Sequence, residues 1–352
     1  VGEYELDRFT VLLVEDNNFI RQTLETLLRQ LKIARLTTAK NGEDAIEWLK
    51  LQKQDHNSGP DIIVSDLLMS PINGLLLLRW VRTAKESPNR FVPFVMLSGA
   101  ADRDYVTASR DLGTTEFLAK PFSVNSVFMH LVKVIEQPRS FIATQKYFGP
   151  DRRRSQRGGA PGDKERRREG TDHVTMVYSA EKTVKAKNVS DVWCFQLPNT
   201  LKERAGNDIG TGPPTLPDSI LAEAEESLER AVLDFAEWAQ KYLTNLASLC
   251  DRAMEDPDKR TLQFAEINEL AHELRGQGGT FGYPLISVAG KMLYESTLEG
   301  CPVTDNQVEV VRAHIDMMRA VIREKISGSG GKVGKELVQS LHAAVQRYQV
   351  SE

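Results

Sequence analysis

With 352 residues, three cysteines and a formal charge of −4, the chain has the length for two domains with cores of their own and a linker between them. Cys194, Cys250 and Cys301 are widely spaced and form no metal-ligand pair, which favours a reducing compartment and packing roles. No apolar run is long enough to span a bilayer, the N-terminus has no signal-peptide core, and the missing initial Met points to a trimmed fragment, so a cytoplasmic protein without a membrane span is expected.

The first part of the chain alternates short apolar runs (TVLLVED, DIIVSD, FVPFVMLSG, TEFLAKP) with amphipathic stretches such as NFIRQTLETLLRQL and EDAIEWLKLQK. That βα alternation predicts a parallel sheet, and runs apolar throughout predict helices on both of its faces. Ligands of such sheets bind outside the carboxyl ends of the strands, near the point where strand order reverses. The polar residues stand at those ends: Glu15 and Asp16 after the first strand, Asp66 at the end of the third, Ser98 of the fourth and Lys120 of the fifth. Three carboxylates, a hydroxyl and an ammonium on one edge suit a divalent cation and a phosphate. A hard cation such as Mg²⁺ relieves carboxylate repulsion and binds phosphate oxygens, which leaves Asp66 as the nucleophile. Phosphoryl transfer has a loose, in-line transition state, so positioning and charge stabilisation by Lys120 and Ser98 do most of the catalysis.

Taken singly, an acidic pair after a strand is more often a helix cap, and Lys-Pro is usually a turn. Together and in order, these residues make residues 10–137 resemble a bacterial response-regulator receiver domain, with a five-stranded, doubly wound, flavodoxin-like α/β fold. The resemblance implies that Asp66 is the phosphoacceptor, that Glu15, Asp16, Asp66 and the carbonyl of Leu68 are Mg²⁺ ligands, and that Ser98 and Lys120 hold the phosphoryl group. It makes Phe117 the aromatic switch, signalling by packing because it lacks a phenol. The family's Met-Pro becomes Met69, Ser70, Pro71 here, with the loop glycine retained at Gly74. The apolar side chain of Leu68 gives an attacking water no polar help, which implies a long-lived phospho-aspartate.

Composition shifts between the domains. Residues 139–170 hold ten Lys/Arg against four Asp/Glu, a net of +6 in a chain of −4, which leaves the remainder at −10. Residues 138–216 therefore read as a basic, partly flexible linker. HVTMVYS and DVWCFQLP within it are candidates for a small β element. A basic arm for an acidic partner, membrane surface or nucleic acid is the functional alternative. No helix-turn-helix or RNA-binding signature accompanies it, so nucleic acid is not the expected partner.

From about residue 217 the pattern turns helical. One apolar stripe runs from Ile220 to Leu249, and further helices are predicted near 260–282, 284–298, 304–327 and 333–350, giving an all-α bundle over 217–352. Phe264, Ile267, Ala271 and Leu274 define a buried stripe from which His272 points roughly 140° away, towards solvent. Arg275, Gly276 and Gly279 follow His272 at i+3, i+4 and i+7 on its own face. The glycines cost a helix roughly 1 kcal/mol each relative to Ala, and a patch without side chains would let another protein bring an aspartyl phosphate in line with the imidazole. The segment His272, Leu274, Arg275, Gly276, Gly278, Gly282 resembles the histidine phosphotransfer (Hpt) signature, with Arg275 in place of lysine. Arginine keeps the charge but forks onto phosphate differently. His314 lies on a helix without a glycine clearing, His342 is on a terminal helix, and His56, His130 and His173 lack partner motifs, so all five read as structural or surface residues.

The expectation is a phosphorelay protein of a two-component system. Asp66 accepts phosphate from a sensor histidine kinase, and His272 exchanges it with its own or another receiver or Hpt protein. No ATP-binding glycine boxes are evident, so the chain is not expected to be an ATP-dependent kinase. The alternatives are a phosphorylation-controlled switch whose bundle is a partner-binding output with His272 unphosphorylated, and a transcription factor using the basic linker.

Overall fold

The computed structural model describes residues 6–54, 59–99, 103–152, 174–181, 184, 191–205 and 217–349; most of the basic run, with His56 and His173, lies outside the described residues. The chain divides into two compact units, one comprising Val1–Ser98, Asp102–Leu118 and Ser123–Glu225 and the other Gly99–Ala101, Ala119–Phe122 and Glu226–Glu352. None of the described helices is long and apolar enough to cross a membrane.

In the first unit β1 (Thr10–Val14), β2 (Arg35–Ala39), β3 (Ile62–Asp66), β4 (Phe94–Ser98) and β5 (Glu116–Ala119) form a parallel sheet in the order β2-β1-β3-β4-β5. The intervening helices are α1 (Asn18–Gln30), α2 (Gly42–Gln54), α3 (Gly74–Thr83), α4 (Arg103–Leu112) and α5 (Val124–Glu136). Strand alternation sends Leu12, Val14, Ile63, Phe94 and Met96 into one core with α2 and α3 residues such as Leu49 and Leu77. The intervening residues Val11, Leu13, Val64, Val95 and Leu97 are also buried, so both faces are covered. Side chains start the helices: Asn17 accepts from the Ile20 N–H at 3.0 Å, Asn73 from Leu76 at 3.0 Å, and Ser123 closes a capping box with Ser126. β2 is not among the apolar runs, because as an edge strand reading RLTTA it is largely open to solvent.

The described part of 138–216 holds the small β element expected there, with more strands than the two candidate runs. Strands β6 (Phe141–Ala143), β7 (Phe148–Pro150), β8 (Val174–Val177) and β9 (Val192–Phe195) form a second sheet in the order β7-β6-β9-β8. HVTMVYS and DVWCFQLP contribute β8 and β9, whereas β6 and β7 are three-residue strands too short to register as a pattern. The rings of Phe141, Phe148 and Phe195 gather around Phe91, just before β4, at centroid distances of 5.2, 5.2 and 5.1 Å. Behind them Arg82 of α3 is fully buried. It donates to the carbonyls of Gly113 (3.1 Å), Arg90 (2.8 Å) and Val92 (2.8 Å), and burial pushes its pKa down to about 9. The short helix α6 (Thr200–Arg204) is tied to the end of α5 by Asn199 Nδ2 donating to the Ile135 carbonyl at 2.7 Å and by the Lys202–Glu136 pair at 2.6 Å.

The C-terminal part of the chain is helical: α7 (Asp218–Glu255), which enters the second unit at Glu226, α8 (Arg260–Gln277), α9 (Pro284–Ser296), α10 (Asp305–Arg323) and α11 (Gly331–Gln349). Phe235, Ala239, Leu243, Leu246 and Leu249 of α7 are buried at helical spacing. Helix α8 stops five residues short of the expected end, because the glycine-rich segment turns. The Tyr283 N–H bonds the Gly278 carbonyl at 2.7 Å, and Gly282 takes φ +83°.

Candidate functional site

The carboxyl edge of the five-stranded sheet carries the first set of predicted residues. Strand order reverses between β1 and β3, which pair in parallel with Val14 opposite Ser65, so Glu15 and Asp16 leave β1 beside the end of β3. Carboxylate oxygens of Glu15, Asp16 and Asp66 all lie within 4.8 Å of one another, with Glu15 and Asp66 buried and Asp16 half-buried. An all-oxygen, triply acidic cluster fits a hard divalent cation, and without one its charges repel. Asp66 is in register with Leu97, and the Leu67 N–H donates to the Leu97 carbonyl at 3.2 Å, which sets Ser98 one residue further along the same edge. Lys120 directly follows β5 and is buried, as Ser98 is.

The neighbouring loops are held by backbone bonds. The Gly74 N–H donates to the Leu67 carbonyl at 3.1 Å, and the Gly42 N–H at the start of α2 donates to the Ile72 carbonyl at 3.0 Å. The Ser70 N–H points to Asp16 Oδ2 at 3.3 Å, so the displaced Met-Ser-Pro segment remains in contact with the acidic pair. Leu68 and Phe117 are half-buried and pack against the core shared by α2 and α3, which leaves Phe117 between interior and surface. Sequence reasoning missed Arg21. Its Nη1 donates to the carbonyls of Glu15 (2.8 Å) and Asp16 (3.2 Å), fixing the backbone that carries two of the carboxylates. The only sequence signal was its place in the first turn of the helix after the acidic pair.

The second set lies on α8. Phe264, Ile267, Ala271 and Leu274 are buried, while His272 and Arg275 are half-buried. His272 is thus less open than a face turned fully to solvent, because Tyr294 of α9 lies beside it with ring centroids 5.6 Å apart. The same ring lies under the guanidinium of Arg275, 5.1 Å from its carbon to the centroid.

The glycines divide into distinct roles. A Cβ on Gly276 would meet nothing within 4 Å, so the position is open as expected, whereas one on Gly278 would stand 2.7 Å from the Tyr283 carbonyl oxygen. Gly279 is not on the helical face of His272. It lies past the end of α8, where its N–H donates to Ser287 Oγ at 2.7 Å. Gly290, Asn268 and Tyr294 escaped sequence reasoning, since each acts across the contact between α8 and α9. Of the other histidines, His314 is buried, with Nδ1 2.7 Å from the Val310 carbonyl, and His130 is similarly 2.7 Å from the Ser126 carbonyl.

Comparison with known sequences matches residues 11–132 to the family described as "Response regulator receiver domain". The chain is 30% identical over 122 residues to the "Probable chemotaxis protein CheY" of Rhizobium etli, covering 34% of this chain and 88% of that protein. It is 29% identical over 136 residues to "Transcriptional regulatory protein PdtaR" of Mycobacterium tuberculosis, covering 38% of this chain and spanning 60% of that relative's length. Among solved structures, a response regulator receiver protein from Pseudomonas putida is 28% identical with a TM-score of 0.31, covering 36% of this chain and 97% of that one.

Proposed function

The chain belongs to the response-regulator receiver family, and from that premise we propose that it is a two-component phosphorelay protein that carries phosphate first on Asp66 and then on His272. The observation that carries the reading is the convergence of Glu15, Asp16 and Asp66 within 4.8 Å at the strand-order reversal, together with an open glycine one turn from His272. Glu15, Asp16 and Asp66, with the Leu68 carbonyl, would hold Mg²⁺, whose chemistry when bound is to draw phosphate oxygens in and offset their charge. The Asp66 carboxylate attacks the donor phosphorus in line, forming the O–P bond as the P–N bond to the kinase's phosphohistidine breaks and its electron pair leaves with the imidazole, and Lys120 and Ser98 then bind the oxygens of the new acyl phosphate. Movement of Ser98 towards phosphate opens room for Phe117, whose half-buried ring is the packing signal. The phosphoryl group enters from a separate sensor histidine kinase in the cytoplasm, and this chain does not take it from ATP.

His272 is the second carrier. Unprotonated imidazole is a competent nucleophile near neutral pH, and exchange with an aspartyl phosphate uses the metal and lysine of the receiver that carries it. Half-burial of His272 against Tyr294 favours one competing reading, in which the bundle is a partner-binding output and His272 stays unphosphorylated.

The deciding experiment supplies acetyl phosphate or a candidate kinase with Mg²⁺ to wild type, Asp66→Asn and His272→Gln. Products are sorted by stability, since acyl phosphate survives acid and phosphohistidine survives base. The expected result is base-stable label that disappears in His272→Gln; its loss in Asp66→Asn as well routes it through this chain's own receiver. Acid-stable label alone, with a range of receivers and kinases, sinks the relay and leaves the output reading.

A further inference from the structure

The contact between α8 and α9 is built around a missing side chain. A Cβ on Gly290 would stand 2.7 Å from the Arg275 nitrogen and 3.0 Å from its Cα, so only glycine lets the two helices approach this closely. One turn further along α9, Asn268 of α8 fixes the neighbouring backbone: its Nδ2 donates to the Tyr294 carbonyl at 2.8 Å and to Thr297 Oγ1 at 3.0 Å. The approach and the clamp together bring the Tyr294 ring against both residues named in the histidine site. Its centroid is 5.6 Å from that of His272, with the rings inclined at 55°, and 5.1 Å from the Arg275 guanidinium carbon.

We propose that Tyr294 is a positioning residue for phosphoryl transfer at His272, its ring holding the imidazole and the Arg275 guanidinium side by side. The inference rests on the reading of His272 as a phosphoryl carrier. In the step, the lone pair of the unprotonated imidazole nitrogen forms the N–P bond while the bond from phosphorus to its donor atom breaks. The electron pair of that bond leaves with the donor, and the proton on the second ring nitrogen stays in place. Negative charge on the transferring oxygens then meets a guanidinium already confined next to the ring. Lysine could not use an aromatic face in the same planar way, which gives the Arg275 departure from the family signature a physical role. Pre-ordering matters because a long cation that must be immobilised during transfer adds to the barrier.

The test uses the full chain carrying Asp66→Asn, which removes aspartyl label, and phosphoramidate as the phosphoryl donor, so that docking of a partner plays no part; base-stable label that survives His272→Gln in the same background is subtracted, so that only His272 is scored. Rates of base-stable labelling are compared for this background and for Tyr294→Leu, Tyr294→Phe, Arg275→Gln and the Tyr294→Leu/Arg275→Gln pair. Tyr294→Leu should slow labelling by about tenfold, Tyr294→Phe should recover most of the rate because it keeps the ring, and the double variant should be no slower than Arg275→Gln alone. Equal rates for Tyr294→Leu and the background overturn the proposal, as do losses that multiply independently in the double variant. Absence of base-stable label in the background, with phosphoramidate and with a phosphorylated receiver, removes the carrier reading and this inference with it. Tyr294→Met, whose flexible side chain fills irregular gaps without a ring, replaces Tyr294→Leu in the cycle if that variant fails to fold.

Discussion

A Cβ placed on Gly74 would collide with the carbonyl oxygen of Asp66 and stand 2.9 Å from the Met96 sulfur. The first residue of α3 and the last of β3 share this space only because one of them has no side chain. Gly74→Ala should therefore push the phosphoacceptor backbone out of place, cost roughly 1–3 kcal/mol of stability as overpacking does, and reduce acid-stable labelling of Asp66 by acetyl phosphate. Thermal unfolding and the labelling rate together check this, and a variant matching wild type in both would show that the loop adjusts freely.

Carboxylates of Glu15, Asp16 and Asp66 within 4.8 Å of one another repel when no cation is bound. Asp16→Asn should raise the melting temperature in EDTA by relieving that repulsion, and shrink the upward shift produced by MgCl₂ because one anionic ligand is gone. Tenfold weaker Mg²⁺ binding corresponds to about 1.4 kcal/mol. Calorimetric melts in EDTA and in MgCl₂ measure both signs, and a lower melting temperature in EDTA would contradict the first.

Open space around Gly276 separates stability from access. Gly276→Ala meets no atom within 4 Å and replaces a poor helix former within α8, so stability should rise by up to about 1 kcal/mol. Gly276→Phe should leave secondary structure intact yet block transfer from a phosphorylated receiver, while labelling by phosphoramidate persists. Equal transfer from the receiver to wild type and Gly276→Phe would exclude this face as the approach.

Arg82 joins α3 to three carbonyls beneath the small sheet. Arg82→Met should cost roughly 2–4 kcal/mol, since buried acceptors lose their donor. Cutting the chain after residue 137 should likewise destabilise the receiver part, because it uncovers Phe91. Urea midpoints for residues 6–137 and 6–205 compare the two forms, and equal midpoints would show that the small sheet adds no stability.

Burial pushes the His314 pKa below its ordinary 6.5, with His342 adding repulsion in the same direction. Above pH 6.5 both folded and unfolded states hold neutral imidazole, so the group is neutral in its effect. As pH falls through 6.5 towards the lower folded value, the unfolded state takes the proton first and stability is lost. His314→Gln should flatten this acid-side decline of the helical unit, read as the melting temperature between pH 7.5 and 5; an unchanged slope would assign the decline to other groups.

Local pattern alone determined the strand ends that carry Asp66, Glu15, Asp16, Ser98 and Lys120, because uniformly apolar strands flanked by amphipathic helices admit few arrangements and leave polar residues only at the edges. The Phe264, Ile267, Ala271, Leu274 stripe was legible for the same reason, since helical periodicity is a property of neighbours in the chain. Edge strand β2 was not, because it is largely open to solvent and carries no apolar run; β6 and β7 are three residues each, too short for a period, and the early stop of α8 is a turn that glycine permits without compelling. Only the tertiary structure decided which glycine opens a surface and which admits a helix. Gly276, Gly278 and Gly290 look alike as letters, and their roles depend on what stands within a few ångströms of an absent Cβ. The Tyr294 contacts with His272 and Arg275 belong to that second class, since they arise from how closely two helices can approach.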